Sequence, residues 1–455
     1  MKNGKRSSFS GKLGYVLAAA GASVGLGNIW RFPYLAAKYG GGIFLIIYIV
    51  LALTFGYTMI VAETAIGRMT RKSPVGAFKS FGKKKWLSFG GWINAVIPVL
   101  IVPYYSVIGG WVIKYLVEYF RGNAKQLAED GYFTDFISNG VSTELCFVAF
   151  CAFTLIIIFA GVQNGIERVS KIMMPILIVL SVIIAVYSVT RPGALAGVKY
   201  FLVPNVKNFS WMTVVSAMGQ MFYSLSIAMG ILITFGSYMK KDTAIEDSTR
   251  NVEVFDTGIA IMAGLMIIPA VFAFSGGDPN TLQAGPSLMF ITIPKVFQNM
   301  GFGTVIGIVF FLLVLFAAVT SSIALTESAV STFEDELGWG RKKATVLVGV
   351  IMLALGSLSS LGYGPLAGIK IIGMQFLDLF DFLTNSVMMP IAALLTSLLV
   401  SRVVGIDKIE DEIIHGESAF RRKKVFVVMI KYLCPVFAII ILLSSVANAL
   451  GWIKM

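Results

Sequence analysis

Long apolar runs alternate with short polar segments along almost the whole chain. A helix needs about 20 predominantly apolar residues to cross the hydrocarbon core of a bilayer, so each run of about 18 or more predicts a membrane-spanning helix. The pattern predicts eleven of them, at roughly 13–37, 42–69, 88–120, 142–160, 168–190, 211–238, 252–275, 303–333, 342–359, 372–401 and 425–453. We therefore expect an all-α integral membrane protein.

The composition agrees with a protein embedded in lipid. Of 455 residues, 57% are hydrophobic and only 13% are charged, whereas a soluble domain has about 25% charged residues. Many of the basic residues behind the net charge of +13 stand before the first predicted span or between the second and third, at 68–85. Because basic residues collect in cytoplasmic loops, we expect a cytoplasmic N-terminus, an extracellular C-terminus and no nucleic-acid partner. The expected location is the inner (plasma) membrane, without a cleavable signal peptide.

The sequence offers little for catalysis. Cys146, Cys151 and Cys434 lie in or beside apolar segments, and their spacing predicts neither a disulfide nor a metal site. The single histidine, His415, lies in a charged loop, where it is expected to be solvated. An integral membrane enzyme is disfavoured because no predicted span carries a histidine, a metal-binding cluster or a nucleophilic serine motif.

The first predicted span is interrupted between Ala20 and Pro33, where the sequence reads AGASVGLGNIWRFP. Its glycines do not complete a dinucleotide-binding motif, because Trp30 stands where the third glycine would be. In hydrocarbon every backbone N–H and C=O needs a partner, so a broken helix is tolerated only beside protein or a water-filled cavity. The interruption therefore predicts a site at mid-membrane, built on freed backbone groups.

A second interruption occurs in the sixth predicted span, in the sequence MGQMFYSLSIAMG from Met218 to Gly230. Breaks in the first and sixth spans predict two inverted repeats of five helices, 13–190 and 211–401, with the site at their interface. The segment 1–12 would then be a cytoplasmic N-terminal segment and 425–453 an additional eleventh helix. The connection 276–302 is predicted to be external, either a helical lid or a plain loop.

Four motifs occur in order along the chain: AGASVGLGNIWRFPYLAAKYGGG, GQMFYSLSIAMG, FAAVTSSIALTESAVSTFEDELG and FLDLFDFLTN. Through them the chain resembles the neurotransmitter:sodium symporter family over about residues 6–400, in the bacterial amino-acid branch with its leucine and tyrosine or tryptophan transporters. That resemblance implies sodium-coupled symport of an apolar or aromatic L-amino acid into the cell by alternating access. Transport of another small zwitterion, an amino-acid-gated channel and a sensor remain alternatives, and the oligomeric state stays open.

The resemblance also implies sites for two sodium ions, which prefer oxygen ligands. Sodium site 2 would use the carbonyls of Gly21, Val24 and Ala317 with the hydroxyls of Thr320 and Ser321. Sodium site 1 would use the Ser23 carbonyl, Asn28, Ser224 and Asp256. Two alternatives remain: the hydroxyls could bond within their own helix, and Asp256 could lie near the cytoplasmic end of its helix and face water.

Asp256 also bears on chloride. Relatives that use chloride bind it at positions that correspond to Tyr48, Gln220 and Ser224, all retained here, whereas Ala260 lacks a polar side chain. A carboxylate inside a spanning helix costs roughly 2.5–3.5 kcal/mol on insertion scales, so it is expected to be functional and paired. We expect Asp256 to replace the chloride charge, so that chloride is not required.

The resemblance places a zwitterionic substrate between the two interrupted spans, since helix N-termini attract carboxylates and unwound carbonyls attract an ammonium group. The implied binding residues are Ser23, Leu26, Gly27, Ile101, Tyr105, Tyr223, Ser224, Ser226, Met229, Ser321 and Leu325. Monoamines are not expected, because Ala22 supplies no carboxylate for an amine that lacks one of its own.

Two gates are implied as well. The outer gate would consist of Arg31, Asp381, Tyr105 and Tyr223. The inner gate would consist of Arg6, Asp335, Phe9, Ser237, Tyr238 and Glu327. The alternative for Arg6 and Arg31 is ordinary basic charge beside a membrane span.

Overall fold

The computed structural model describes residues 6–276, 285–449 and 452, and its elements are helices apart from two isolated β-bridges. Among these described residues, nine helices are long and apolar enough to cross a membrane, and a bent helix pair makes a tenth. The remaining predicted span is the sixth, whose two pieces of 14 and 8 residues are each too short to cross alone. The prediction of an all-α membrane protein with about eleven spans is confirmed.

We number the spans in chain order and use these numbers throughout. They are span 1 (Lys12–Ser23 and Gly27–Lys38), span 2 (Gly42–Thr70), span 3 (Lys85–Phe120), span 4 (Gly140–Phe159), span 5 (Val162–Val189), span 6 (Trp211–Ser224 and Ile231–Tyr238), span 7 (Ile245–Ser275), span 8 (Gly303–Leu337), span 9 (Arg341–Leu361), span 10 (Phe376–Val404) and span 11 (Lys423–Asn448). Shorter helices are Pro74–Lys79, Ala124–Leu127, Tyr132–Ser138, Ala194–Leu202, Val206–Asn208, Leu288–Gln298 and Ile406–Ile414.

Spans 3 and 8 form the buried centre of the bundle, whereas spans 5 and 11 lie at its rim. In the most apolar stretch of each helix, 78% of span 3 and 72% of span 8 are buried, against 33% of spans 5 and 11. Lipid-facing apolar surface is expected for the rim helices, because lipid is as apolar as a protein core. The polar residues of the interrupted spans, such as Asn28, Gln220 and Ser224, are buried inside the bundle as well.

Span 1 bends by 53° between its two pieces. Its first piece ends at Ser23, Val24 is extended, and the second piece begins as a π-helix over Gly27–Arg31. Two glycines allow neighbouring helices to approach the break. A Cβ atom on Gly25 would lie 2.7 Å from the Ser321 hydroxyl, and one on Gly27 would lie 2.3 Å from the Tyr223 ring.

Span 6 is broken by three residues with positive φ, namely Ser226 at 52°, Ala228 at 58° and Gly230 at 68°. This conformation costs roughly 1–2 kcal/mol for a residue with a side chain, so the surroundings must hold it. The Ser226 hydroxyl donates to the Ala22 carbonyl at 2.9 Å, and the Ala228 N–H donates to Glu63 Oε1 at 2.7 Å. Since Ala22 belongs to span 1, the first of these bonds joins the two breaks directly.

Some span boundaries differ from the predicted ones. Span 7 begins at Ile245 rather than 252, because its first turns carry polar residues that lie outside any apolar run. Arg68, assigned from the sequence to the basic loop after span 2, is instead fully buried inside that span. It pairs with Glu412 at 2.7 Å and donates to the Thr243 carbonyl at 2.5 Å, which explains how a charge is tolerated there.

The connection between spans 7 and 8 contains the helix Leu288–Gln298, as the helical alternative predicts. Residues 277–284 of that connection lie outside the described residues. The Tyr115 hydroxyl donates to the Phe290 carbonyl at 2.7 Å, and the Phe290 ring stacks on Phe133 at 5.0 Å. These contacts dock the helix on the end of span 3 and on the short helix Tyr132–Ser138. The division into repeats at 13–190 and 211–401 stays a prediction.

Candidate functional site

The two breaks meet around a cavity of about 30 Å³ in the middle of the bundle. Twelve residues from spans 1, 3, 6 and 8 line it: Ala22, Ser23, Gly25, Leu26, Gly27, Ile101, Tyr105, Tyr223, Ser226, Met229, Ser321 and Leu325. Ligand pockets for small molecules usually occupy about 300–1,000 Å³. The walls must therefore move apart before an amino acid can fill this cavity.

Ten of the eleven residues predicted to bind substrate line the cavity, and Ser224 does not. The hydroxyl of Ser224 points into a polar cluster behind the cavity, where it donates to Asp256 Oδ1 at 2.8 Å. Two lining residues, Ala22 and Gly25, were not among the predicted contacts. Gly25 could have been predicted from its position in the break, between the residues with freed carbonyls and Gly27. Only a residue without a side chain leaves room at that position.

The cavity combines polar groups at the span 1 break with apolar side chains on the other walls. The Leu26 N–H donates to the Tyr105 hydroxyl at 3.3 Å, which fixes that phenol at the N-terminus of the second piece of span 1. Ile101, Met229 and Leu325 supply the apolar surface. All three are nearly fully buried, and no charged side chain lines the cavity. Such a site is suited to a molecule with one polar end and one apolar end.

A carboxylate cluster, formed by Asn28, Tyr48, Ser224 and Asp256, lies beside the cavity. Asp256 Oδ1 accepts hydrogen bonds from Asn28 Nδ2 and Ser224 Oγ, both at 2.8 Å, and Asp256 Oδ2 accepts one from the Tyr48 hydroxyl at 2.9 Å. None of the four side chains is more than 1% exposed. The carboxylate is thus surrounded by neutral donors inside the protein.

The water-facing alternative for Asp256 is wrong, since its side chain is completely buried. The charges that precede it on span 7 have partners of their own, with Arg250 on Asp247 at 2.8 Å and Glu253 on Arg422 at 3.3 Å. No ion pair within the described part of the chain includes Asp256. Gln220, predicted nearby, donates to the Gly27 carbonyl at 2.9 Å instead of reaching the carboxylate.

A second group, the hydroxyl cluster, consists of Gly21, Val24, Ala317, Thr320 and Ser321. The Ser321 hydroxyl lies 3.2 Å from the Gly21 carbonyl and 3.4 Å from the Val24 carbonyl, and so bridges span 8 to the break in span 1. The Thr320 hydroxyl bonds within its own helix, to Phe316 and Ala317 carbonyls at 3.0 and 3.2 Å. The in-helix alternative therefore describes Thr320 but not Ser321.

Both clusters offer oxygen atoms of carbonyls, hydroxyls, an amide or a carboxylate. Within the described ranges, no group of three or more histidine, cysteine, aspartate or glutamate side chains could hold a metal ion. Oxygen-only sets of this kind suit hard cations rather than zinc or other transition metals. The chemistry of both clusters fits sodium.

One end of the bundle, here called the inner face, brings together all six residues predicted as an inner gate. Arg6 pairs with Asp335 at 2.5 Å and donates to the hydroxyls of Ser237 at 3.0 Å and Ser331 at 2.7 Å. The Arg6 guanidinium also lies over the Tyr238 ring at 5.0 Å. The inner face is closed by this network.

The remaining residues of the inner-face network surround the Arg6–Asp335 pair. The Tyr238 hydroxyl donates to Glu327 Oε1 at 2.7 Å, and the buried Phe9 ring packs edge-on against Tyr238. Two participants were not predicted: Ser331, and Arg341, which donates to both carboxylate oxygens of Glu327 at 3.0 and 2.5 Å. Ser331 could have been predicted, because it lies four residues before Asp335 and therefore on the same face of the helix.

The opposite end, here called the outer face, contains a vestibule of about 370 Å³ between spans 1, 3, 6 and 10. Arg31 and Asp381 both line it, but no ion pair of the described residues joins them. The Arg31 guanidinium lies over the Tyr223 ring at 5.2 Å. Asp381 instead accepts from Tyr104 at 3.2 Å and Asn385 at 2.5 Å. The predicted outer pair is not formed in this conformation, because each partner is engaged elsewhere across an open vestibule.

Tyr105, predicted for the outer gate, lies at the central cavity, and its neighbour Tyr104 faces span 10. Consecutive residues of a helix point about 100° apart, so of these two adjacent tyrosines only Tyr105 lines the central cavity. Tyr223 lines both the cavity and the vestibule and separates them. The sequence did not single out Tyr104, and the role of Tyr105 and Tyr223 in an outer gate stays a prediction.

Comparisons with known proteins agree with this architecture. The family model described as the sodium:neurotransmitter symporter family matches residues 6–146 and 118–452. The sodium-dependent transporter YhdH of Bacillus subtilis (strain 168) is 34% identical, over 98% of this chain and 99% of its own length. The human sodium- and chloride-dependent GABA transporter 2 is 26% identical, over 90% of this chain and 75% of its own length.

A solved structure shows the same fold. The crystal structure of MhsT in complex with L-phenylalanine superposes with a TM-score of 0.86 at 34% sequence identity. The match covers 97% of this chain and all of that one. The family match, the sodium-dependent relatives and the shared fold lead to one conclusion: the chain belongs to the sodium:neurotransmitter symporter family, in its bacterial branch.

Proposed function

We propose that this sodium-dependent transporter couples the entry of sodium to the uptake of an L-amino acid with an apolar or aromatic side chain. The observation that carries the proposal is the meeting of two broken spans at one cavity, with an oxygen cluster on either side. In membranes, breaks of this kind are found where backbone groups bind substrate or ions. As a member of a transporter family, the chain is not an enzyme.

The polar end of the cavity is suited to a zwitterion. The second piece of span 1 begins there, so its N-terminal N–H groups and the Tyr105 hydroxyl can bind a carboxylate. The break in span 1 frees carbonyl groups, among them that of Ser23, which can accept from an ammonium group. The site would thus hold both charged ends of an α-amino acid.

The apolar walls of the cavity support an apolar or aromatic side chain. Ile101, Met229 and Leu325 offer no partner for a charged group, and methionine adapts its shape to different neighbours. Ala22, which also lines the cavity, brings no carboxylate to bind an amine without its own. MhsT, which shares this fold, was crystallised with L-phenylalanine, and that agrees with a substrate of this class.

Chloride independence is part of the proposal. Tyr48 and Ser224, two positions that bind chloride in chloride-using relatives, both donate to the Asp256 carboxylate. A chloride ion and a fixed carboxylate would compete for these donors. With Asp256 providing the negative charge beside sodium site 1, transport should proceed without chloride.

The driving force follows from the charges that move. Each charge that crosses the membrane gains about 2.3 kcal/mol per 100 mV. Two sodium ions with one neutral zwitterion would gain about 4–5 kcal/mol at that voltage, before the sodium gradient is counted. Asp256 is fixed in span 7 and does not change this sum.

Uptake into proteoliposomes tests the proposal. An inward sodium gradient should drive saturable accumulation of one or more apolar or aromatic L-amino acids, and a potassium gradient should not. Accumulation that persists without sodium, or unsaturable flux of ions alone, would contradict a symporter and favour a channel. Sodium-dependent binding without any accumulation would favour a sensor.

Chloride is tested separately in the same vesicles. Replacement of chloride by gluconate should leave wild-type uptake unchanged. Asp256→Asn keeps the shape of the side chain but removes its charge, so uptake without chloride should fall by about tenfold or more, the equivalent of about 1.4 kcal/mol. Wild-type uptake that collapses in gluconate would refute the role of Asp256.

A further inference from the structure

We propose that the inner-face segment 71–85, the loop after span 2 together with the first residue of span 3, binds anionic phospholipid headgroups and thereby stabilises the closed inner face. Three consecutive lysines form the binding surface, here called the lysine tract: Lys83, Lys84 and Lys85. The effect on closure rests on the inner gate of the proposed function, whereas the binding of lipid does not. The occupant is a lipid of the leaflet that borders the inner face.

The lysine tract is exposed and has no protein partner. None of its three side chains takes part in an ion pair or a side-chain hydrogen bond with any residue the structure describes. Other lysines at the inner face do find carboxylates, such as Lys79 on Glu336 and Lys241 on Glu412, both at 2.7 Å. Three adjacent ammonium groups are thus left free for an external anion.

The tract lies where a helix enters the membrane. Lys85 is the first residue of span 3, and Phe89 and Trp92 follow on the same helix face. These two residues are 55% and 40% exposed, and Lys79 Nζ lies 5.7 Å from the centre of the Trp92 ring. Aromatic rings of this kind anchor helices at the membrane interface, and lysine stems extend from there to the headgroups.

This combination favours a lipid over other anions. A phospholipid offers a phosphate to the ammonium groups and acyl chains to the exposed rings, and a free phosphate offers only the former. Basic residues next to a span attract the anionic headgroups of the bordering leaflet. A soluble polyanion would match the charges but offer no apolar contact to the exposed surfaces of Phe89 and Trp92.

The loop is joined to the inner gate by direct bonds. The Ser73 N–H donates to Asp335 Oδ2 at 2.6 Å, while Oδ1 of the same carboxylate pairs with Arg6. Lys79 pairs with Glu336, the next residue of span 8. The loop thus holds the end of span 8 at the position where the inner gate closes.

The loop and the start of span 3 also fit together too closely to move independently. A Cβ atom on Gly90 would lie 2.6 Å from the Phe78 ring, and one on Gly91 would lie 2.8 Å from the Val75 Cα atom. Val75 and Phe78 belong to the short helix Pro74–Lys79. A headgroup that holds the lysine tract in place therefore also holds Ser73 against Asp335, and closure is favoured.

The test uses the full chain in nanodiscs, either of phosphatidylcholine alone or with phosphatidylglycerol added. Wild-type protein should retain phosphatidylglycerol in native mass spectrometry, and residues 6–12 should exchange their amide hydrogens more slowly in the anionic discs. The triple variant Lys83→Gln, Lys84→Gln, Lys85→Gln should lose about tenfold or more in lipid retention and should show equal exchange in both discs. Sodium-dependent binding of amino acid in the same discs reports separately on the proposed function.

A matched triple variant controls for the loss of charge. Lys125, Lys199 and Lys207 are exposed lysines in the outer-face connections, and their change to glutamine should leave the lipid effect intact. Equal lipid retention by the tract variant and wild type would overturn the proposal. Protection of wild type by inorganic phosphate in phosphatidylcholine discs would overturn the choice of lipid, and retention without any change in exchange would overturn the link to the gate.

Discussion

The inner and outer faces each contain an arginine and an aspartate, but the two side chains are paired only at the inner face. At the inner face Arg6 and Asp335 are paired at 2.5 Å, with two hydroxyls completing the guanidinium contacts. At the outer face Arg31 and Asp381 line one vestibule but contact other groups. This conformation is closed at the inner face and open to the vestibule at the outer face.

The surroundings of each pair explain the difference. Arg6 donates to the hydroxyls of Ser237 and Ser331, and Asp335 also accepts from the Ser73 N–H, so each ion has hydrogen bonds besides the pair itself. Arg31 and Asp381 instead line an open space of about 370 Å³ and contact other groups there. The two pairs thus differ in the groups that surround them and not in their residue types.

Two further ion pairs, one at each face, show a similar contrast. Behind the inner gate, Arg68 is fully buried and Glu412 only 6% exposed. At the outer face, Lys295 of the helix Leu288–Gln298 pairs with Asp130, which is 93% exposed. Burial makes an ion pair costly to break, whereas solvent and salt weaken an exposed one.

The largest effect is expected from Glu412→Gln. This change leaves the Arg68 charge buried without its carboxylate, which costs about 3–5 kcal/mol in comparable buried pairs. Thermal unfolding of the purified protein measures the loss. Glu410→Gln on the same helix removes a carboxylate that is 30% exposed and pairs with Lys423, and it should change stability much less. Equal stability of the two variants would remove the contrast between buried and exposed pairs.

Asp335→Asn should have the next largest effect. It removes the charge that holds Arg6 and weakens the acceptor of the Ser73 N–H, so the inner face should open and uptake should fall by about tenfold, the equivalent of about 1.4 kcal/mol. Uptake and hydrogen exchange of residues 6–12 are the measurements. Asp242→Asn, an exposed inner-face carboxylate outside this network, is the control. Unchanged uptake and exchange would refute the inner gate.

Arg31→Gln should have a smaller effect, since its ion pair would form only when the outer face closes. Loss of about 1 kcal/mol in the closed state should weaken amino-acid retention about fivefold. Sodium binding without amino acid should not change. Lys38→Gln serves as control, because the Lys38 ammonium contacts the Tyr34 and Tyr39 rings instead of an acidic residue. A loss of sodium binding in Arg31→Gln would show a structural role instead of a gate.

The smallest effect is expected from Lys295→Gln. The hydrogen bond and charge of Lys295 lower the pKa of the Asp130 carboxyl, so the pair contributes above the ordinary carboxyl pKa and is lost as the pH falls. Solvent screens the pair, and uptake at pH 7 should change by less than about twofold. An effect as large as that of Asp335→Asn would show that the outer helix is held as tightly as the inner gate.

Much of this arrangement could be predicted because its signals are local in the sequence. Apolar runs indicated the spans, and glycines and polar residues inside two of them indicated the breaks. The motifs around Gly21–Asn28, Ser224 and Thr320–Ser321 identified residues that the structure brings together. A glycine or a polar residue inside an otherwise apolar run can be recognised from the sequence alone.

The contacts that were missed join residues far apart in the chain. Arg68 and Glu412 are 344 positions apart, and nothing near Arg68 distinguishes it from the basic loop that follows. The bond from Ser73 to Asp335 uses a backbone N–H, which every residue other than proline carries. Such contacts depend on how helices pack, and packing is not encoded in any single segment.

The central claim is that the two broken spans form an amino-acid site that depends on sodium. The most direct test is equilibrium binding of a panel of labelled L-amino acids to the purified protein, in sodium chloride and in choline chloride. Our account predicts saturable binding of one or more apolar or aromatic L-amino acids in sodium and none in choline. Equal binding in both salts, or no binding by any member while intact vesicles accumulate another solute, would contradict it.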